Sequence, residues 1–168
     1  MTELVNQLVA LSRMEEDKQT LNISELSLSD ILLDSASEFS TLAESKGKRL
    51  ALDVDQNIKY LGDEALLRRL IGILLDNAVK YCDAEGEITV ILKKKRRIAL
   101  SVENTYSGAG EIELERLFDR FYRADKARKF TGGYGVGLSI AKAIAEKHKG
   151  DISAYKKDNS HIGFKVIL

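Results

Sequence analysis

The 168-residue chain has no proline, no tryptophan and one cysteine, Cys82. Without proline its loops must turn on glycine, asparagine, aspartate and serine. A lone cysteine excludes an internal disulfide and fits a reducing compartment. Excess charge of either sign is also missing: 26 basic side chains face 26 acidic ones. No global basic field therefore recommends nucleic acid or an anionic membrane as partner. Nor is there a long apolar run. The most apolar stretch, Leu66 to Val79, is interrupted by Arg68, Arg69 and Asp76, which excludes a membrane span. Thr2 to Arg13 lacks the continuous apolar core and small-residue cleavage site of a signal peptide. What these absences leave is one soluble, well-cored domain, with room for a short appendage.

The most conspicuous stretch present is Thr131-Gly132-Gly133-Tyr134-Gly135-Val136-Gly137-Leu138-Ser139-Ile140-Ala141, a glycine run passing directly into a helix-patterned segment, Leu138 to His148. Glycine admits positive φ and lets backbone approach a ligand. A helix starting there turns free N–H groups and the positive end of its dipole toward the loop, which suits phosphate. A flexible loop with a well-formed helix start accounts for the same residues, so the rest of the chain decides.

Thr2 to Glu16 is amphipathic, with Leu4, Leu8 and Leu11 at helical spacing. It either packs on its own domain or is a piece of a longer helix that pairs in a bundle or dimer. Leu21 to Leu28 alternates as a strand. Ser29 or Asp30 is a candidate cap for a helix over Ile31 to Ser45, which Gly47 helps end. Arg49 to Val54 alternates again. Gly62-Asp63 opens the longest helical segment, Glu64 to Cys82, whose apolar face is Leu67, Leu70, Ile71, Leu74, Leu75 and Ala78. Glu87 to Leu92 and Ile98 to Glu103 read as strands joined by Lys93-Lys94-Lys95-Arg96-Arg97. That run has no interleaved aromatic, so it reads as a solvated hairpin tip and not as a nucleic-acid surface. A turn-rich stretch leads to a short helix around Glu113 to Phe121. Asp151 to Tyr155 and Ile162 to Leu168 close the chain as strands. The order predicts an α+β two-layer α/β sandwich with a mixed, mostly antiparallel sheet covered by helices on one face.

Three stretches then come into register: Leu74-Leu75-Asp76-Asn77-Ala78-Val79-Lys80-Tyr81, Phe118-Asp119-Arg120-Phe121-Tyr122-Arg123-Ala124-Asp125, and Gly133 to Ala141. In this order and spacing, over Leu21 to Leu168, the chain resembles the catalytic ATP-binding domain of bacterial two-component sensor histidine kinases. These have the Bergerat-type ATPase fold, shared with gyrase, MutL and a chaperone family. The resemblance implies that residues 19–168 form this domain and that residues 1–18 are the remnant of a dimerisation helix. It implies ATP and Mg²⁺ as ligands, with Asn77 on the metal. Lys80, on the same helical face, offers a compact cation for phosphate. Tyr81 lines the sugar or base, and Arg123 resembles the arginine that approaches the terminal phosphate. Gly133, Tyr134, Gly135, Val136, Gly137 and Leu138 form the phosphate-facing edge of a lid spanning Arg123 to Gly132. Phe118 and Phe121 read as core anchors at its base. The implied partners are a histidine-bearing dimerisation domain and, indirectly, a response regulator. The implied parent is a homodimer anchored in the cell membrane, with this part cytoplasmic.

Three departures accompany the resemblance. The family's Asp-x-Gly-x-Gly box follows the strand Ile98 to Glu103, and its aspartate accepts from the adenine amine. Counting back from Phe118 places Asn104 at the aspartate and Tyr106 at the first glycine. Alternatively Gly108 and Gly110 are the glycine pair, which puts Tyr106 at the aspartate. Strand alternation favours Asn104. Its carbonyl still accepts but loses a charge-assisted bond, about 1 kcal/mol, so ATP binding is expected to be weakened and not abolished. Ile73 stands where a second asparagine is frequent and reads as core. Finally, the phosphoacceptor histidine is missing: His148 and His161 both follow the lid and read as ordinary surface residues. A degenerate scaffold domain regulating a partner kinase, and an anti-sigma-type serine kinase of the same fold, are the competing readings.

Overall fold

The computed structural model describes residues 2–16, 20–124 and 133–168. The predicted lid residues 125–132 lie outside them. In chain order the elements are α1 (Thr2–Glu15), β1 (Ile23–Ser27), α2 (Leu28–Ser45), β2 (Arg49–Val54), β3 (Lys59–Asp63) and α3 (Glu64–Tyr81). They continue with β4 (Glu87–Lys94), β5 (Ile98–Thr105), α4 (Gly137–Lys147), β6 (Asp151–Asp158) and β7 (His161–Ile167). Five strands form one sheet in the order β2-β4-β5-β7-β6, and β1 pairs with β3 in a separate two-stranded ribbon. Only β2 and β4 run parallel; the other pairs of the large sheet are antiparallel. Helices α2, α3 and α4 cover one face of the sheet, and α1 packs on α4. The α+β sandwich expected from the element order is therefore the fold. No helix among the described residues is long and apolar enough to cross a membrane.

Alternation explains the core. Ile88, Val90 and Leu92 on β4, Leu100 and Val102 on β5, and Ile162, Phe164 and Val166 on β7 are all buried. They meet Leu67, Leu70, Ile71, Leu74 and Leu75 from α3, also buried. At about 1.5–3 kcal/mol for each large side chain removed from water, this contact dominates the stability of the sandwich. Asp63 caps α3 as expected, accepting the N–H of Leu66 at 3.1 Å.

Several expectations need correcting. The cap of α2 is Ser27, whose Oγ accepts from the Asp30 N–H at 3.3 Å, so the helix starts at Leu28. Ser29 is committed elsewhere: its buried hydroxyl donates to the Asp55 carbonyl at 2.7 Å and accepts the Ile58 N–H at 2.9 Å. The helix expected around Glu113 to Phe121 is absent; single 3₁₀ turns occupy Ala109–Glu111 and Leu114–Arg116. His148 is no surface residue, being 8% exposed between α3 and α4. Phe121 is not a core anchor but 58% exposed, whereas Phe118 packs edge-on against Phe164 with centroids 6.2 Å apart. Only Lys95, Arg96 and Arg97 of the cationic run form the β4–β5 turn; Lys93 and Lys94 end β4, with Lys93 bound to Asp53 and Asp55 at 2.6 and 3.0 Å.

Candidate nucleotide site

The end of α3, the start of β7 and the start of α4 converge on one cleft. From α3 come Ile73, Asp76, Asn77, Lys80 and Tyr81. The spacings of three and four residues put them on one helical face. Ile73, read as core from the sequence, is partly buried and belongs to this lining. Across the cleft stand Arg123, Gly133, Tyr134, Gly135, Gly137 and Leu138. The floor is apolar, built from Ile112, Leu117, Ile162 and Phe164, with Tyr106 beside them.

Of the residues expected from the sequence, Asn77, Lys80, Tyr81, Arg123, Gly133, Tyr134, Gly135, Gly137 and Leu138 are thus brought together. Asn104, Gly108, Gly110 and Val136 are not in the lining. Val136 is fully buried under α4, a core residue. The Gly110 carbonyl accepts from Lys156 Nζ at 2.9 Å, away from the cleft. Gly108 lies against the Tyr106 ring, 3.0 Å from where a Cβ would stand. Tyr106, weighed from the sequence as part of the adenine-end box, is in the lining, whereas Ile112, Leu117, Ile162 and Phe164 were not expected there. For Ile162 and Phe164 on β7, burial on a sheet face and exposure to a cleft leave the same alternation in a sequence.

Asn104 is 1% exposed, between Ile88 on β4 and Ile162 on β7. Directly paired residues point to the same face of a sheet, so Asn104 lies next to the cleft-lining Ile162. Its Nδ2 donates to the Thr105 carbonyl at 3.1 Å, and its Oδ1 is buried without a hydrogen bond. A buried acceptor left unpaired costs about 1–3 kcal/mol.

Lys80 is ion-paired in the free domain, its Nζ 2.7 Å from Asp76 one helical turn back. Both members are partly exposed, and such surface pairs contribute about 0.3–0.5 kcal/mol. The lysine can therefore be drawn toward an arriving anion at small cost. The glycine run does two separate things. Gly135 has φ +71°, and a Cβ on it would stand 2.7 Å from the Tyr122 carbonyl. Gly133 comes close to Tyr81, 3.7 Å from a would-be Cβ to the phenol oxygen.

A two-layer sandwich with its cleft between a long helix and a glycine run that starts another helix defines a Bergerat-type ATPase domain. The comparisons with known proteins agree. A family model described as histidine kinase-, DNA gyrase B-, and HSP90-like ATPase matches residues 62–168, and the chain belongs to that family. The sensor protein DltS of Streptococcus agalactiae is 34% identical over 155 residues, covering 92% of this chain and 39% of DltS. The sensor histidine kinase YkoH of Bacillus subtilis is 35% identical over 159 residues, covering 94% of this chain and 34% of YkoH. The chain thus spans well under half the length of these relatives. Among solved structures, full-length ShkA in complex with AMPPNP superposes with a TM-score of 0.84 at 24% identity, over 99% of this chain and 35% of ShkA. The mycobacterial sensor histidine kinase MprB superposes with a TM-score of 0.77 at 22% identity, over 86% of this chain and 97% of its own. The chain is an ATP-binding domain of the kind found in sensor histidine kinases.

Proposed function

We propose that the cleft binds Mg²⁺–ATP and that the domain delivers the γ-phosphate to a histidine on a separate dimerisation domain. The observation that carries this reading is the meeting of Asn77, Lys80 and Tyr81 with Gly133, Gly135 and Gly137 across one cleft. The base occupies the apolar floor of Ile112, Ile162 and Phe164, and the phosphates face Lys80, Arg123 and the glycine run. Asn77 fits a hard cation: one neutral amide oxygen suits an ion whose other ligands are phosphate and water. When bound, Mg²⁺ neutralises phosphate charge. The protein's own contribution is to position the phosphates, with Lys80 and Arg123 opposing their charge.

In this reading α1 is the end of a dimerisation helix, and the parent protein is a homodimeric, membrane-anchored sensor that signals through a response regulator. The names of the curated relatives, a sensor protein and sensor histidine kinases, support the sensor-kinase part of it. The experiment is Mg²⁺–ATP titration followed by transfer from radiolabelled ATP to a histidine-bearing dimerisation domain of the same parent. Asn77→Ala should weaken Mg²⁺–nucleotide binding about ten-fold or more, as expected for loss of one bond to a charged group. It should leave Mg²⁺-free binding almost unchanged. A second reading, a regulatory scaffold that holds nucleotide poorly, is favoured by the neutral Asn104 outside the lining. Absence of binding at millimolar nucleotide would establish it.

A further inference from the structure

Helix α1 precedes the family-matched region, yet two of its side chains, Glu3 and Gln7, line the nucleotide cleft. Their place follows from how α1 lies on the domain. Leu11 and Met14, 2% and 6% exposed, are buried in the core cluster. They share a groove with Ser139, Lys142, Ala143 and Glu146 of α4. The second half of α1 thus lies on α4, and its first half reaches the cleft that Gly137 and Leu138 at the start of α4 also line. One helical turn separates Glu3 from Gln7, and the Gln7 Nε2 donates to the Glu3 carboxylate at 3.4 Å.

The ionisable side chains around the cleft are then unequal. Asp76 is matched by Lys80. Glu3 is held by a neutral amide, and among the described residues no cation pairs with it. Its carboxylate is therefore carried without an ion-pair partner among those residues, in the lining of the same cleft as Lys80, Arg123 and the glycine run, which face the phosphates in the reading above.

We infer that α1 is a charge gate on the nucleotide cleft: docked on α4, it carries the Glu3 carboxylate against the triphosphate and lowers affinity for ATP. Any event that moves α1 off α4 withdraws that charge and raises the affinity. The inference rests on the proposed nucleotide reading and deepens it, adding regulation by a helix outside the matched domain. It requires the penalty to fall on the charged part of the ligand and not on the base.

The test is a charge series at one exposed position: wild type, Glu3→Gln and Glu3→Lys, with Glu38→Gln on α2 as a remote control. Each variant is titrated with Mg²⁺–ATP and with adenosine, at low and at physiological salt, and thermal unfolding confirms that it is folded. One charge near a ligand of net negative charge, partly screened, predicts about a three- to ten-fold gain in ATP affinity at each step. The gain should shrink at higher salt, while adenosine binding and the Glu38→Gln control stay flat. Equal affinities for ATP across the series would overturn the gate while leaving nucleotide binding intact. A parallel change for adenosine would overturn it too, since the effect would then be one of shape. If the wild type and every variant bind neither ligand, the nucleotide reading itself fails and the gate fails with it.

Discussion

The Phe121 N–H donates to the Gly135 carbonyl at 2.8 Å, tying the backbone just before Tyr122 and Arg123 to the glycine run. Both residues are left-handed, Phe121 at φ 63° and Gly135 at φ 71°. For a side chain as large as phenylalanine this conformation is unusual and costs about 1–2 kcal/mol. The close approach of the two backbones holds it there.

Gly135→Ala would place a Cβ 2.7–2.9 Å from backbone atoms of Phe121 and Tyr122, in addition to the strain of positive φ. Backbone cannot yield as a flexible side chain can, so the tie must loosen. The expected loss is about 2–3 kcal/mol in chemical denaturation, with nucleotide affinity falling alongside. Gly137 is the contrast, because its Cβ would meet only Ile73 Cγ2 at an ordinary 3.5 Å. As the first residue of α4, Gly137→Ala should be neutral or stabilise the free domain by up to about 1 kcal/mol. If both variants behaved alike, the backbone tie would not be what Gly135 provides.

How much of this was legible beforehand differs by element. The α3 segment was readable because Asp63 and the stripe Leu67, Leu70, Ile71, Leu74 are local signals that agree with one another. Strand β3, Lys-Tyr-Leu-Gly-Asp, was missed because it has no β-branched residue and ends on the helix cap; its pairing with β1 is a tertiary fact. The helix expected around Glu113 to Phe121 is reduced to a 3₁₀ turn at Leu114–Arg116. A short segment cannot recover the cost of helix nucleation. Its apolar residues are instead drawn onto the core individually, while Arg116 lies over the Tyr122 ring, 4.4 Å from the centroid. At the site, the polar wall from α3 and the glycine run was visible as motifs, whereas the apolar floor depends on which strands are neighbours.

His148 was misread for a related reason: nothing local marks a histidine at a helix end as buried. Its Nε2 accepts the Asp63 N–H at 3.0 Å, and this requires Nδ1 to carry the proton donated to the Ile144 carbonyl at 2.8 Å. The neutral ring thus joins the end of α4 to the start of α3, the ends of both helices remote from the cleft. His148→Ala would strand a partly buried N–H, and the expected cost is about 1–3 kcal/mol in denaturant unfolding. Because α3 spans about 27 Å between this tie and Tyr81, nucleotide affinity of the folded variant should change by less than about two-fold. A larger change would mean that the two ends of α3 are coupled.

On the face of the sheet opposite the helices, Glu103 receives the Tyr155 hydroxyl at 2.7 Å and Lys157 Nζ at 3.0 Å. Gly163 lies between Glu103 and Tyr155 in the sheet register, and a Cβ there would collide with the Tyr155 ring. Burial pushes the Glu103 carboxyl up, but the hydrogen bonds from Tyr155 and Lys157 and the lysine charge outweigh it, so its pKa lies below the ordinary 4.5. A lowered carboxylate pKa contributes stability above the unfolded value, lost as pH falls through the folded one. Tyr155 is pushed up to about 12 by burial and then by Glu103, so its contribution is complete below pH 10 and fades as pH rises toward 12. Urea midpoints should therefore show wild type exceeding Glu103→Gln at pH 7, with the gap narrowing below pH 4.5. A gap that stayed constant with pH would place the stabilisation in packing and not in the charge.

Asn104→Asp separates structure from recognition, because it is expected to move two observables in opposite directions. In the free domain the substitution buries a carboxylate at a position that is 1% exposed. It also replaces the Nδ2 that donates to the Thr105 carbonyl at 3.1 Å with an oxygen that repels it. Stability should drop by at least about 2–3 kcal/mol, or the group should take up a proton. With nucleotide present, the buried acceptor now unpaired at Oδ1 would meet an exocyclic amine as an anion, a bond stronger by about 1 kcal/mol. ATP affinity at neutral pH should then rise about five-fold, once stability is measured separately by thermal unfolding. Asn104→Ala should weaken ATP by a similar factor. Were Asn104→Asp to lose stability with no change in ATP affinity, and Asn104→Ala to bind as tightly as wild type, Asn104 would be a structural residue of the sheet. The base would then be read by Tyr106 and the apolar floor alone.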